Sequence, residues 1–217
     1  MQATKTLPED YQAYATIALA KNKRLFLFLN LLGLVLFFGF GWLFVQMALL
    51  LRPDVAPLLH VIDMTSDGSF FLTLPLVWIP SVLVVFLLVP VLHEAAHGLF
   101  FWLFTRERPR FAYKVVYAYA AAPDWYLPRG PYLLIGLAPL VLLSLLGVAL
   151  LPALPLLLLP GLIACLVLNA AGAVGDIALV CWLLFQPASL LARDAGDAVT
   201  IYRAGRAASA QPVEQAG

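Results

Sequence analysis

The stretch SVLVVFLLVPVLHEAAHGLFFWLF, residues 81–104, decides the fold. It is apolar apart from Ser81 and the group His93, Glu94 and His97. About 20 apolar residues suffice for a helix to cross a bilayer, so this stretch reads as a transmembrane span. A charged side chain at the bilayer centre costs roughly 2.5–3.5 kcal/mol on insertion scales. Three ionisable groups in so short a segment therefore need a compensating partner. The spacing is His-Glu-x-x-His, which sets two imidazoles one helical turn apart on one face with a carboxylate beside them. Zinc hydrolases use that constellation, and within an apolar span it points to a metalloprotease that works inside a membrane.

Composition agrees. The chain of 217 residues is 63% hydrophobic and 12% charged, against about 45–50% and about 25% for soluble domains. A polytopic membrane protein in contact with the lipid bilayer follows. The net charge of +1 gives nucleic-acid binding no support. Cys165 and Cys181 both lie in the last hydrophobic stretch and read as small packing residues rather than a disulfide. The first apolar run, near Leu25, is too long for the core of a cleavable signal and reads as an anchor.

The expected fold is all-α, with about four transmembrane helices and a short β-hairpin-like cytoplasmic loop between spans two and three. The spans read from the sequence are 25–51, 74–104, 132–151 and 156–185, with a possible break in the last at Gly172-Ala-Val-Gly175. Three regions follow: an N-terminal arm over 1–24, a membrane metalloprotease-like domain over 25–186 and a C-terminal tail over 187–217, partly disordered. Pro8-Glu9-Asp10 followed by Lys21, Lys23 and Arg24 suggests a short interfacial helix in the arm. Of the basic residues, only Arg52 falls on the side of the loop that carries Asp54, Asp63 and Asp67. The remaining Lys and Arg residues share the other side, which places both termini in the cytoplasm.

Catalytic zinc usually has three protein ligands and a water. The third histidine, His60, lies in the external loop and reads as an ordinary loop residue. Asp176 is the better candidate, the acidic residue besides Glu94 within the spans. His97 and Asp176 both lie roughly 14–15 Å inside the cytoplasmic ends of their spans, at about 1.5 Å per residue. Matching depth suggests contact, and Gly172 and Gly175 permit a close approach of the two helices. Asn169, two turns before Asp176, could bind substrate backbone or orient a ligand. The competing reading is a hydrogen-bonded polar cluster without metal. Haem is disfavoured, because two histidines one turn apart on one helix cannot reach opposite faces of a porphyrin.

Phe111 to Tyr119 alternates, so Phe111, Tyr113, Tyr117 and Tyr119 would share one strand face, with Trp125-Tyr-Leu-Pro128 returning as a second strand. Such a hairpin can hold an extended substrate by strand addition, with Tyr117 and Tyr119 as candidate substrate-binding residues. An aromatic belt at the membrane interface is the alternative.

These residues together resemble a family of bacterial membrane proteins, the putative zincin peptidases, formerly a domain of unknown function and similar in layout to site-2 proteases. The resemblance rests on His93-Glu94-x-x-His97-Gly98, the aromatic loop leading to Gly136-Leu-Ala-Pro139, and Asn169 to Asp176. It departs from the site-2 pattern in having no proline between Asn169 and Asp176 and Ile177 rather than glycine after it. The resemblance implies an intramembrane zinc peptidase of the bacterial cytoplasmic membrane, with Zn2+ on His93, His97 and Asp176, and Glu94 as the catalytic residue. The substrate would be a membrane protein or peptide; nothing in the sequence sets the oligomeric state. The alternative function is a non-catalytic metal-binding scaffold. A transporter has less support, since the spans show no internal repeat.

Overall fold

The computed structural model describes residues 2–18, 22–59, 62–64, 67–72, 78–114 and 117–205. The elements in chain order are β1 (Tyr11–Ile17), α1 (Lys23–Leu51), α2 (Ala56–Leu59), β2 (Ile62–Met64), β3 (Phe70–Leu72), α3 (Trp78–Thr105), β4 (Arg110–Lys114), β5 (Tyr117–Ala121), β6 (Leu127–Pro128), α4 (Arg129–Leu150), α5 (Leu159–Gly172), α6 (Val174–Leu184), β7 (Leu191–Asp194) and β8 (Val199–Ala204). Helices α1, α4 and the 83–105 part of α3 are long and apolar enough to cross a membrane. The segment ending in α5, taken with α6, makes a fourth such unit, bent by 43° at its break.

That bend has a local cause. Gly172 and Gly175 flank the junction, and glycine costs about 1 kcal/mol relative to alanine inside a helix. Ala173 N–H closes α5 on the Asn169 carbonyl at 3.0 Å, and Ile177 N–H restarts the ladder on the Ala173 carbonyl at 2.9 Å. Asp176 thus falls in the first turn of α6, where the helix dipole favours a carboxylate. Pro90 lies inside α3 without ending it.

Helix α1 packs mainly on α5, and α3 packs on α4 and α5. One core, with Phe44, Ala48, Leu151, Leu159 and Leu166, joins α1, α4 and α5. Beside it Arg52 pairs with Asp54 at 2.9 Å and donates to the Leu154 carbonyl, also at 2.9 Å. The second core, with Phe101, Leu127, Ile135, Leu183 and Ile201, joins the other end of the bundle to a sheet.

That sheet is antiparallel, in the order β1-β8-β7-β6, and it corrects the sequence reading. The N-terminal arm contains a strand where an interfacial helix was expected. Pro8 begins a turn, with Tyr11 N–H on its carbonyl at 3.0 Å, and the aromatic and β-branched residues of YQAYATI then pair with β8 from Tyr11↔Ala204 to Ile17↔Val199. Helix α1 starts only at Lys23, capped by Asn22 Oδ1, which accepts from Leu25 N–H at 3.1 Å. The C-terminal region contributes β7 and β8, so the chain is mainly helical with small sheets rather than all-α. Residues 206–217, and His60, lie outside the described residues.

The hairpin between α3 and α4 exists, but in a different register. Its strands are β4 and β5, paired from Arg110↔Ala121 to Lys114↔Tyr117. The alternation therefore runs through a reversal of the chain. Phe111 and Tyr113 share a face with their partners Ala120 and Ala118, and Tyr119 belongs to the other face. The expected return strand is only Leu127–Pro128, and it pairs with β7 instead.

Candidate metal centre

His93 and His97 stand one turn apart on α3, with ring centroids 5.0 Å apart. Asp176 Oδ2 lies 3.1 Å from His93 Nε2 and 3.4 Å from His97 Nε2. One ligand atom from each residue falls within 4.8 Å of the others, and no second such cluster of His, Cys, Asp or Glu occurs among the described residues.

The hydrogen bonds behind this cluster fix its protons. His97 Nδ1 lies 2.9 Å from the Ile135 carbonyl, which can only accept, so Nδ1–H donates. Asn169 Nδ2 donates to the Pro139 carbonyl at 3.1 Å. That orients Asn169 Oδ1 toward His93 Nδ1 at 3.0 Å, and this Nδ1–H donates as well. Each neutral imidazole then keeps its lone pair on Nε2, and both Nε2 atoms face the Asp176 carboxylate. Three acceptors this close repel one another unless a cation lies among them, either a proton on one ring or a metal ion.

The donor set suits zinc. Two imidazole nitrogens and a carboxylate oxygen are ordinary zinc ligands, and bonds of about 2.0–2.1 Å put tetrahedral ligand atoms about 3.3 Å apart. The spacings of 3.1 and 3.4 Å match that edge. Acceptors on the outer ring nitrogens are the usual companions of metal-binding histidines.

Pro139 explains why one of those acceptors is available. It lies inside α4, and a proline has no N–H to give to the carbonyl four residues earlier. That carbonyl belongs to Ile135, and His97 takes it.

Glu94 stands apart from the cluster. Its Oε2 accepts from Ala120 N–H of β5 at 2.7 Å. Gly98 lets the hairpin come this close, since a Cβ there would sit 2.3 Å from Phe111 Cζ and 3.3 Å from Pro109 Cγ.

The cluster opens into a cavity of about 1040 Å³. Phe26, Leu29 and Gly33 of α1 and Phe86 and Val89 of α3 form its apolar walls. At its polar end, beside His93, Glu94, His97 and Asp176, stand Tyr132 and Asp194. Tyr132 lies one turn before Ile135 on α4, and its hydroxyl donates to Asp194 Oδ2 at 2.6 Å. Asp194 Oδ1 accepts from Gly196 N–H at 2.8 Å in the β7–β8 turn. Burial pushes the Asp194 carboxyl above its ordinary value, and the Tyr132 and Gly196 donors oppose that shift.

The structure thus brings His93, His97 and Asp176 together and sets Glu94 beside them. Asn169 is 2% exposed, and both ends of its amide are used by His93 and Pro139. Tyr119 lines the cavity against Gly196, while the Tyr117 side chain lies outside the described residues. Sequence reading passed over Tyr132, Asp194 and two backbone groups, the Ile135 carbonyl and the Ala120 N–H. Only the first backbone group had a signal, a proline inside an apolar helix.

Residues 86–191 match the family described as DUF3267, putative zincin peptidase. The match spans the His-Glu motif, the hairpin, Pro139, Asn169 and Asp176, and points to a metallopeptidase. No curated protein and no solved structure matches the chain.

Proposed function

We propose that the chain is an intramembrane zinc metallopeptidase that hydrolyses peptide bonds of membrane-associated substrates. One observation carries the reading: two Nε2 lone pairs and the Asp176 carboxylate converge, with Glu94 alongside, at the polar end of a cavity whose walls are mostly apolar. The family match supports the peptidase class, and the apolar helices support the membrane setting.

His93, His97 and Asp176 would hold the zinc. A zinc ion bound there supplies a water of lowered pKa and polarises the scissile carbonyl. Glu94, kept out of the ligand set, accepts a proton from the attacking water and delivers it to the departing amide nitrogen. Water oxygen bonds to the carbonyl carbon, the C–N bond breaks, and the amine leaves with that proton. Asn169 and the Ile135 carbonyl hold the two imidazoles in the required tautomer. The substrate lies extended beside β5, with Tyr119 against it. The excess of basic residues toward the sheet end of the bundle supports a cytoplasmic side for that end and for both termini, in what would be a bacterial cytoplasmic membrane.

The test is Glu94→Gln in detergent-purified protein. It should retain zinc by metal analysis and lose cleavage of a transmembrane-segment substrate by about 10²–10⁴-fold. A parent that binds zinc yet never cleaves, with or without chelator, would instead be a non-catalytic metal-binding scaffold.

A further inference from the structure

In an antiparallel pair, alternate residues turn their N–H and C=O toward the partner strand and away from it. Strand β5 pairs with β4 on one side. Ala120 N–H goes to Glu94 and not to β4. By the two-residue period, Ala118 presents its backbone to the same side as Ala120. That side is the cavity, which Ala118, Tyr119 and Ala120 line. An edge of this kind is a template for an added strand, whose carbonyl oxygens would take its N–H groups. At Ala120 that place is already filled, and the occupant is an oxygen of the carboxylate that the hydrolytic reading needs as a base.

The hairpin also meets neighbouring segments at two glycines. Phe111, the partner of Ala120, rests against Gly98, and Tyr119 rests against Gly196. Residues at positions 118 and 120 are alanines, so little side chain bars a neighbouring backbone.

We propose that an extended peptide segment adds to this edge of β5 and that its carbonyl takes the Ala120 N–H from Glu94, so that docking the substrate frees the carboxylate for proton transfer. The inference rests on the peptidase reading and adds a recognition step to it. One hydrogen bond is exchanged for another, and no covalent bond is made or broken. The oxygen Oε2, committed to a backbone donor before docking, becomes available to a water afterwards. A ligand that reaches the metal ligands without a main chain beside β5 leaves Glu94 where it is.

The experiment uses the full chain, zinc-loaded in nanodiscs and labelled with ¹⁵N-alanine. Parent and Glu94→Gln are compared through the Ala120 amide signal. The probes are the hydroxamate of the peptide Leu-Val-Leu and acetohydroxamate, which carries the same chelating group and no peptide. Without probe, the Ala120 amide should differ between parent and variant, because a carboxylate and a neutral amide oxygen deshield it differently. Saturation with the peptide hydroxamate should bring the two signals together and shift Ala118, while acetohydroxamate should leave the difference intact. A difference that survives the peptide probe, or one that acetohydroxamate also abolishes, overturns the exchange. Protein that takes up no zinc sinks the peptidase reading itself, which metal analysis reads separately.

Discussion

The Ile135 carbonyl receives the Nδ1–H of His97 at 2.9 Å, on a helix whose own hydrogen-bond ladder would otherwise claim it. Pro139 leaves it open. A helix defect on α4 thereby sets the tautomer of an imidazole on α3. The second imidazole depends on the same residue, since the Pro139 carbonyl holds Asn169, and Asn169 holds His93. One proline stands behind both rings.

Pro139→Ala tests this. Alanine restores an N–H that competes with His97 for the Ile135 carbonyl. Zinc affinity, measured by competition with a chelator, should fall by about 10–100-fold, the usual cost of losing an outer partner of a metal-binding histidine. Thermal stability should hold or rise, because proline costs about 3 kcal/mol relative to alanine inside a helix. Asn169→Leu should weaken zinc similarly through His93. Unchanged affinity in both variants would mean that neither ring is positioned by these acceptors.

How far the sequence reaches is plain from these residues. Helices α1, α3 and α4 are apolar runs, a local signal that composition alone carries. The meeting of His93, His97 and Asp176 follows from depth, because ionisable groups within apolar spans must find each other or water. The β1–β8 pairing joins Tyr11 to Ala204, and no local pattern reports so distant a partner. The hairpin is where the sequence placed it, and only its register differs. Its alternation of aromatic with mostly small residues continues across the reversal between Lys114 and Tyr117, so Phe111 and Tyr119 looked like one face of one strand. The Ala120 N–H and the Ile135 carbonyl are backbone groups, and residue identity does not encode where they point.

The seating of the hairpin on α3 predicts the effect of Gly98→Ala. The added methyl would meet Phe111 at 2.3 Å, closer than atoms can pack, so the exposed Phe111 ring must turn aside or β4 and β5 must lift away. Where the strands lift, Glu94 loses Ala120 N–H, while the His93–His97–Asp176 cluster, formed by α3 and α6, remains. Zinc content should be retained, peptide cleavage should drop, and stability should fall by about 1–3 kcal/mol, as for other overpacked sites. Adding Phe111→Ala removes the obstructing ring and should restore much of both. If the single variant loses the Ala120 N–H bond to Glu94 yet cleaves like the parent, hairpin placement has no bearing on the reaction.

The Asp194 carboxyl predicts how stability varies with pH. Its folded pKa lies above the ordinary value of 3.8, chiefly because burial disfavours the charged form. A group whose pKa rises on folding takes up a proton as the chain folds. Its contribution is therefore fully present below about pH 4 and is lost as pH rises through the folded value. Thermal unfolding of the parent and Asp194→Asn, followed from about pH 4 to about pH 7, should show the parent losing stability relative to the variant as pH increases. Tyr132→Phe removes the donor that holds Asp194 Oδ2 at 2.6 Å, a donor that favours the carboxylate. The pKa should rise further in that variant, and the loss should extend to higher pH. A parent and an asparagine variant that keep a constant difference across the range would show that Asp194 titrates alike in the folded and unfolded chain, and the β7–β8 turn would then exert no proton-linked hold on Tyr132.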